Sequence, residues 1–63
     1  MLDEFQTRVL LENAIRLRIR AIKRQNGDDV SQYKGEIKAL QKVLEYDDFT
    51  IDCLTRSIKE QEE

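Results

Sequence analysis

The sequence has no histidine, proline or tryptophan, and it contains a single cysteine, Cys53. One cysteine cannot form a disulfide within the chain, and without histidine the usual zinc-binding sets cannot be assembled. No apolar run approaches the ~20 residues that a membrane span needs. The acidic first residues predict neither a signal peptide nor an anchor. We therefore expect no cofactor, no metal and no membrane contact, and a cytoplasmic location.

Catalytic motifs are also missing from the sequence. Carboxylates are plentiful, but a chain of 63 residues folded as two helices offers no concave site that would shift a pKa or exclude water. A reactive thiol needs an electropositive site, whereas Cys53 has Asp48 and Asp52 as neighbours. The sequence therefore predicts a packed or half-exposed structural cysteine and a protein that is not an enzyme and has no small-molecule substrate.

The sequence does contain a ladder of apolar residues whose spacing alternates between three and four. This spacing places the side chains on one stripe of a helix and is typical of coiled coils. Asp47 alone is out of step. The ladder consists of Val30, Tyr33, Ile37, Leu40, Leu44, Ile51, Leu54 and Ile58.

One turn divides the chain, at Asn26 and Gly27, because both residues tolerate a positive φ. Either of the aspartates that follow is a suitable N-cap for the next helix. The sequence predicts an all-α antiparallel helical hairpin in a single domain, residues 1–63, with helices over about 2–25 and 29–61 and a turn at 26–28. Because Asp47 and Asp48 are poor in helix interiors and good as caps, a kink near 47–49 or a third helix starting near 49 is the alternative.

Two features of this hairpin predict self-association. The longer second helix would project beyond the first and expose Leu54 and Ile58. The first helix carries two apolar seams, and one neighbouring helix covers only one. The seams are Leu10, Ala14, Leu17 and Ala21, and Leu11, Ile15 and Ile22. We therefore expect a homodimer packed as a four-helix bundle. This outline resembles that of the ROP family of plasmid RNA regulators; the likeness concerns architecture, and no functional residue is carried over from it.

Apolar residues that lie off the main stripes are the candidates for contact with another protein, because grouped aromatic residues outside a core are candidate interface anchors. The alternative is that they complete the core of the dimer. Together with the overhang, the predicted protein interface comprises Leu2, Phe5, Val9, Tyr46, Phe49, Leu54 and Ile58.

Basic residues share the outward face of the first helix and continue near the turn. Such a stripe suits nucleic-acid phosphates, and the alternative is an ordinary solvated face. The candidate phosphate contacts are Arg16, Arg20, Lys23, Arg24 and Lys38. Two charged residues interrupt the apolar stripes and are expected to pair across the hairpin, Arg18 with Glu36 and Asp47 with Arg8.

These patterns favour a small non-catalytic protein-interaction module, either a regulator, an inhibitor or an assembly accessory, that binds a larger partner through apolar helix faces. Short, acidic, helical chains of this style are of the kind that a phage or mobile element uses to block a host protein. A nucleic-acid-binding regulator is the first alternative. A structural subunit of a larger assembly is the second.

Overall fold

The computed structural model describes residues 3–62, which form three α-helices joined by two short loops. Helix α1 spans Glu4–Lys23, α2 spans Gly27–Leu44 and α3 spans Asp48–Glu62. Helix α1 packs against both α2 and α3. The expected all-helical class is confirmed.

The three helices run up, down and up. The loop after α2 brings Tyr46 beside the start of α1, where it shares a surface groove with Phe5. At the other end of the molecule, Glu62 of α3 contacts Arg16 and Arg20 of α1. Helix α2 is therefore antiparallel to α1, and α3 is parallel to α1.

Each helix begins at a polar side chain that accepts a hydrogen bond from a backbone N–H of the first turn. Asp3 accepts from the Gln6 N–H at 2.7 Å while the Gln6 side chain accepts from the Asp3 N–H at 3.2 Å, which is a capping box. Asn26 accepts from Asp29 in the same way before α2. The prediction that an aspartate caps this second helix is wrong, because Asn26 starts the helix two residues earlier.

Helices α1 and α2 both end in a left-handed residue that is not glycine. Gln25 and Glu45 each have a φ of 59°. In each case the next residue donates its N–H to a carbonyl five residues back, from Asn26 to Ala21 and from Tyr46 to Gln41. This is the Schellman arrangement, in which glycine is the usual left-handed residue. The turn expected at 26–28 lies instead at residues 24–26, because Gln25 takes the positive φ and α2 already begins at Gly27.

The expected continuous helix over 29–61 is also wrong, and the alternative of a third helix starting near 49 is confirmed, since α3 begins at Asp48. The chain breaks at residues 45–47, where side chains make hydrogen bonds that compete with those of a continuous helix. The Asp47 carboxylate accepts the Thr50 N–H at 2.8 Å and caps α3. The Gln41 side-chain amide donates to the Tyr46 carbonyl at 3.1 Å and to the Asp48 carboxylate at 3.0 Å, which holds the loop in place.

The apolar ladder lines the core from both α2 and α3. Because α3 folds back along α1, Ile58 is 4% exposed and belongs to the buried cluster with Leu11, Ile15 and Ile37. Leu54 packs against this cluster and is half-buried. The expected overhang that exposes Leu54 and Ile58 is therefore wrong. The four-helix bundle made from two hairpins is not confirmed, because each copy contains three helices.

The left-handed residue at the end of α1 yields a stability prediction. The Gln25→Gly variant removes the clash between a Cβ atom and the backbone at positive φ, so we expect its free energy of unfolding to rise by about 1 kcal/mol. Urea denaturation followed by circular dichroism measures this change. The matched control is Arg24→Gly, at a residue with a φ of −84°, which should lose about 0.5–1 kcal/mol. Equal losses in both variants would contradict the role of Gln25.

The cap of α3 yields a pH prediction. Hydrogen bonds from the Thr50 side chain and backbone N–H hold the pKa of Asp47 below its ordinary value of 3.8. A lowered pKa in the folded state stabilises the fold above pH 3.8, and this contribution is lost as the pH falls through the folded pKa. Asparagine caps helices without titrating in this range. Urea denaturation above and below pH 3.8 should therefore show a smaller acid loss of stability for Asp47→Asn than for the wild type. The matched control is Asp52→Asn, which removes the same charge from an exposed position of α3 and leaves the cap in place.

Candidate protein-interaction surface

The side chains of two phenylalanines and a valine are largely exposed to solvent. Phe5 on α1 is 75% exposed, Phe49 on α3 is 74% exposed and Val43 on α2 is 70% exposed. Phe5 lies in the first turn of α1 and Phe49 in the first turn of α3, and neither belongs to the core cluster or packs against it. Large apolar side chains exposed to this degree are what a partner surface would bury.

The other predicted interface residues have different environments. Val9 is 37% exposed. Tyr46 and Leu54 are half-buried against the core, and Ile58 lies inside it. Leu2 lies outside the described residues. In this fold the solvent-facing members of the predicted interface are therefore Phe5, Val9 and Phe49, which we call the exposed set.

A second apolar surface follows the junction of α1 and α2. Leu10 and Ala14 of α1 and Ala39 and Leu40 of α2 line a shallow groove there, with Glu36 at its edge. No residue of α3 lines this groove. Helical spacing extends the same faces through two further exposed residues, Leu17 on α1 and Val43 on α2. We call Leu10, Leu17, Ala39 and Val43 the open face.

The open face corresponds in part to a seam that the sequence predicted and in part to a residue that it missed. The residues of the seam formed by Leu10, Ala14, Leu17 and Ala21 differ in burial. The two alanines are buried and the two leucines are exposed. Val43 was not predicted. Its signal is the four-residue spacing from Ala39, which puts both residues on one side of α2, away from the ladder.

Two of the five residues of the basic face form ion pairs within the molecule. The Arg16 Nε lies 3.2 Å from one oxygen of the Glu62 carboxylate, and an Arg20 guanidinium nitrogen lies 3.3 Å from the same oxygen. Lys23, Arg24 and Lys38 are exposed and make no ion pair with any of residues 3–62. The sequence could not predict the Glu62 contact, because it depends on α3 folding back along α1.

Both expected ion pairs across the hairpin are wrong. Glu36 lines the groove with Leu10 and Ala14, one helical turn before Arg18 on α1, so the two residues are not level. Arg8 instead pairs with Glu12 on its own helix at 3.4 Å. The Asp47 carboxylate is used as the cap of α3.

The Arg18 side chain extends from α1 into the cleft between α1 and α3. Its Nε is buried and has no hydrogen-bond partner. The cleft around it has a volume of about 320 Å³ and is lined by Ile19, Ile22 and Lys23 of α1 and by Thr55 and Lys59 of α3. No carboxylate lines this cleft. A buried donor without a partner destabilises the fold, because it has lost its hydrogen bonds to water.

Residues 3–62 contain no group of three or more potential metal ligands, and none of their helices is long and apolar enough to cross a bilayer. Cys53 is exposed on α3, so its expected packed or half-exposed position is wrong. The chain matches no known protein-family model, no curated protein and no solved structure. The surface chemistry of the described residues is therefore the basis for any functional proposal.

Arg18 yields a prediction about stability. Arg18→Met keeps the aliphatic stem and removes the buried Nε–H, so we expect the free energy of unfolding to rise by about 1 kcal/mol. Thermal and urea denaturation measure the change. The control is Arg24→Met at an exposed position, which should stay within about 0.5 kcal/mol of the wild type. A loss of stability in Arg18→Met alone would show that the guanidinium stabilises the fold.

Proposed function

We propose that the protein is a small non-catalytic interaction module that binds a larger protein in the cytoplasm and acts as a regulator, inhibitor or assembly accessory. The observation that carries this proposal is the exposure of Phe5 and Phe49, at 75% and 74%. Aromatic anchors of this kind supply most of the energy in many protein interfaces. Occlusion of a partner's own binding site is the mechanism we infer.

The open face supports the same proposal by a separate route. It lies along two neighbouring antiparallel helices on a side that α3 leaves uncovered. A partner helix laid there would complete a four-helix arrangement, with Leu10, Leu17 and Val43 contacting its apolar side. We also propose that the protein forms a homodimer, because a fold of this size gains stability from burying additional apolar surface.

Nucleic-acid binding through the basic face is the alternative function. It is favoured by the three exposed cations Lys23, Arg24 and Lys38, which have no ion-pair partner among residues 3–62. It is weakened by the two arginines that share Glu62. A structural role in a larger assembly is the further alternative, although the predicted projecting end of the second helix no longer supports it.

A paired substitution tests the primary proposal. Phe5→Ala combined with Phe49→Ala should lower capture of the native partner by about tenfold or more, because two aromatic anchors are removed. Quantitative mass spectrometry of affinity-captured host proteins provides the measurement. Both side chains are exposed, so circular dichroism should show a helical fold whose stability changes by no more than about 0.5 kcal/mol per site.

The matched control is Gln32→Ala combined with Ser57→Ala, since both residues are exposed and should leave capture unchanged. A second comparison separates the alternative function. Lys23→Glu combined with Arg24→Glu should leave protein capture intact, whereas a nucleic-acid regulator would lose a salt-dependent mobility shift with that variant. Retained capture by the double phenylalanine variant would overturn the proposed role of the exposed set.

A further inference from the structure

The apolar ladder keeps its heptad register across a break that does not require it. Leu44 ends α2 and Ile51 lies in the first turn of α3, and the two residues are seven positions apart. In the three-helix fold, α3 is a separate helix that folds back along α1. Its apolar stripe therefore need not be in phase with that of α2. A shared phase is needed when one straight helix presents both segments on a single stripe.

The loop between α2 and α3 is short and includes an unfavourable backbone conformation. Only residues 45–47 separate the two helices. Glu45 has φ 59° and ψ 34°, a left-handed conformation that is disfavoured for any residue with a Cβ atom. Straightening the loop would return Glu45 to the right-handed helical region. Short hinges under strain favour the exchange of a terminal element between copies.

Opposing contacts favour the closed loop. The Asp47 cap and the two hydrogen bonds of the Gln41 side chain exist only while the chain turns at this point. Asp47 would also occupy the ladder position between Leu44 and Ile51 in a straight helix, where a charged residue is unfavourable. We call residues 45–47 the hinge, the turned loop its closed form and a continuous helix its open form. The cap and the Gln41 hydrogen bonds favour the closed form, whereas the ladder register and the left-handed Glu45 favour the open form.

Helix α3 is buried mainly against α1, with Ile37 of α2 in the same cluster. Its buried residue, Ile58, belongs to a cluster with Leu11, Ile15 and Ile19 of α1. Its terminal contact is that of Glu62 with Arg16 and Arg20 of α1. A second copy of the chain offers an identical α1, so every one of these contacts can form between two chains as well as within one.

We propose that two copies of this chain form a dimer by exchanging α3. In each copy residues 45–47 become helical, α2 and α3 join into one helix from Gly27 to Glu62, and α3 packs on α1 of the other copy. The occupant of the exchanged position is therefore a second copy of this chain. The inference rests on the homodimer proposed above and specifies how that homodimer is built.

Two hinge variants shift the proposed equilibrium in opposite directions. Asp47→Leu removes the cap of α3 and completes the ladder, so we expect the dimer dissociation constant to fall by about tenfold or more. Glu45→Gly relieves the left-handed residue in the closed loop, so we expect that constant to rise by about tenfold. Light scattering after size-exclusion chromatography, from micromolar to millimolar chain, measures both changes.

The control for a merely sticky surface is Asp52→Leu, which places the same side chain on an exposed site of α3 outside the ladder and the hinge. This variant should have the wild-type dissociation constant. Equal dimerisation of Asp47→Leu and Asp52→Leu would overturn the proposal. So would a wild type and an Asp47→Leu variant that both stay monomeric at millimolar concentration.

A charge-exchange experiment separates α3 exchange from side-by-side dimers. One chain carries Arg16→Glu with Arg20→Glu, and the other carries Glu62→Lys, so each chain has like charges between its own α1 and α3. If α3 is exchanged, a mixed dimer restores opposite charges at both junctions. Random pairing of equal amounts of the two chains would make half of all dimers mixed, and native mass spectrometry should show a larger fraction than this. As a control, wild-type chains of two isotopic masses should pair at random.

In a side-by-side dimer the like charges between α1 and α3 remain within each chain, so half of the dimers would be mixed, as in random pairing. That result would overturn α3 exchange. That result leaves the homodimer proposal standing, and the phenylalanine variants test partner binding independently. Failure of the exchange and failure of the proposed function are therefore read from different measurements.

Discussion

The fold depends on the burial of one helix between two others. Leu11 and Ile15 of α1 are 0% and 2% exposed and are the largest fully buried side chains among the described residues. They are covered from one side by α2 and from the other by α3. A chain of this size has little apolar surface to bury, so the central position of α1 concentrates that burial where two neighbours share it.

The sequence predicts the helical class and most of the core well, because the periodicity of apolar residues reports directly on which helix face is buried. Helix α1 has two neighbouring helices, as the width of its apolar face indicates, although Leu10, Leu17 and Ile22 of the two seams are exposed. The second neighbour was expected from another copy, whereas α3 of the same chain supplies it. The reason is Asp47, which occupies a ladder position and is also a strong capping residue. Periodicity alone cannot decide between these roles, because the outcome depends on hydrogen bonds from Thr50 and Gln41 that exist only in the folded loop.

The candidate site was predictable in part for the same reason. Phe5, Val9 and Phe49 lie off every stripe of their helices, and they are exposed as that position implies. Ile58 was misplaced because its exposure followed from a straight second helix. The sequence does not indicate the ion pairs of the basic face for a related reason, since the Glu62 carboxylate meets Arg16 and Arg20 only after α3 has reversed direction. The incorrect expectation of a continuous helix through residues 45–47 therefore also affects the predictions for residues at the opposite end of the molecule.

Helix α3 packs mainly against α1, which has a consequence for the order in which the molecule opens. Helices α1 and α2 are adjacent in sequence and joined by a short loop, so their pairing requires little loop closure. Helix α3 can detach while that pair remains, and its amide protons should then exchange with solvent sooner than those in the middle of α1. A protease that cleaves extended chain would meet the region after Leu44 first, and the α1–α2 pair would survive as the slowly digested fragment.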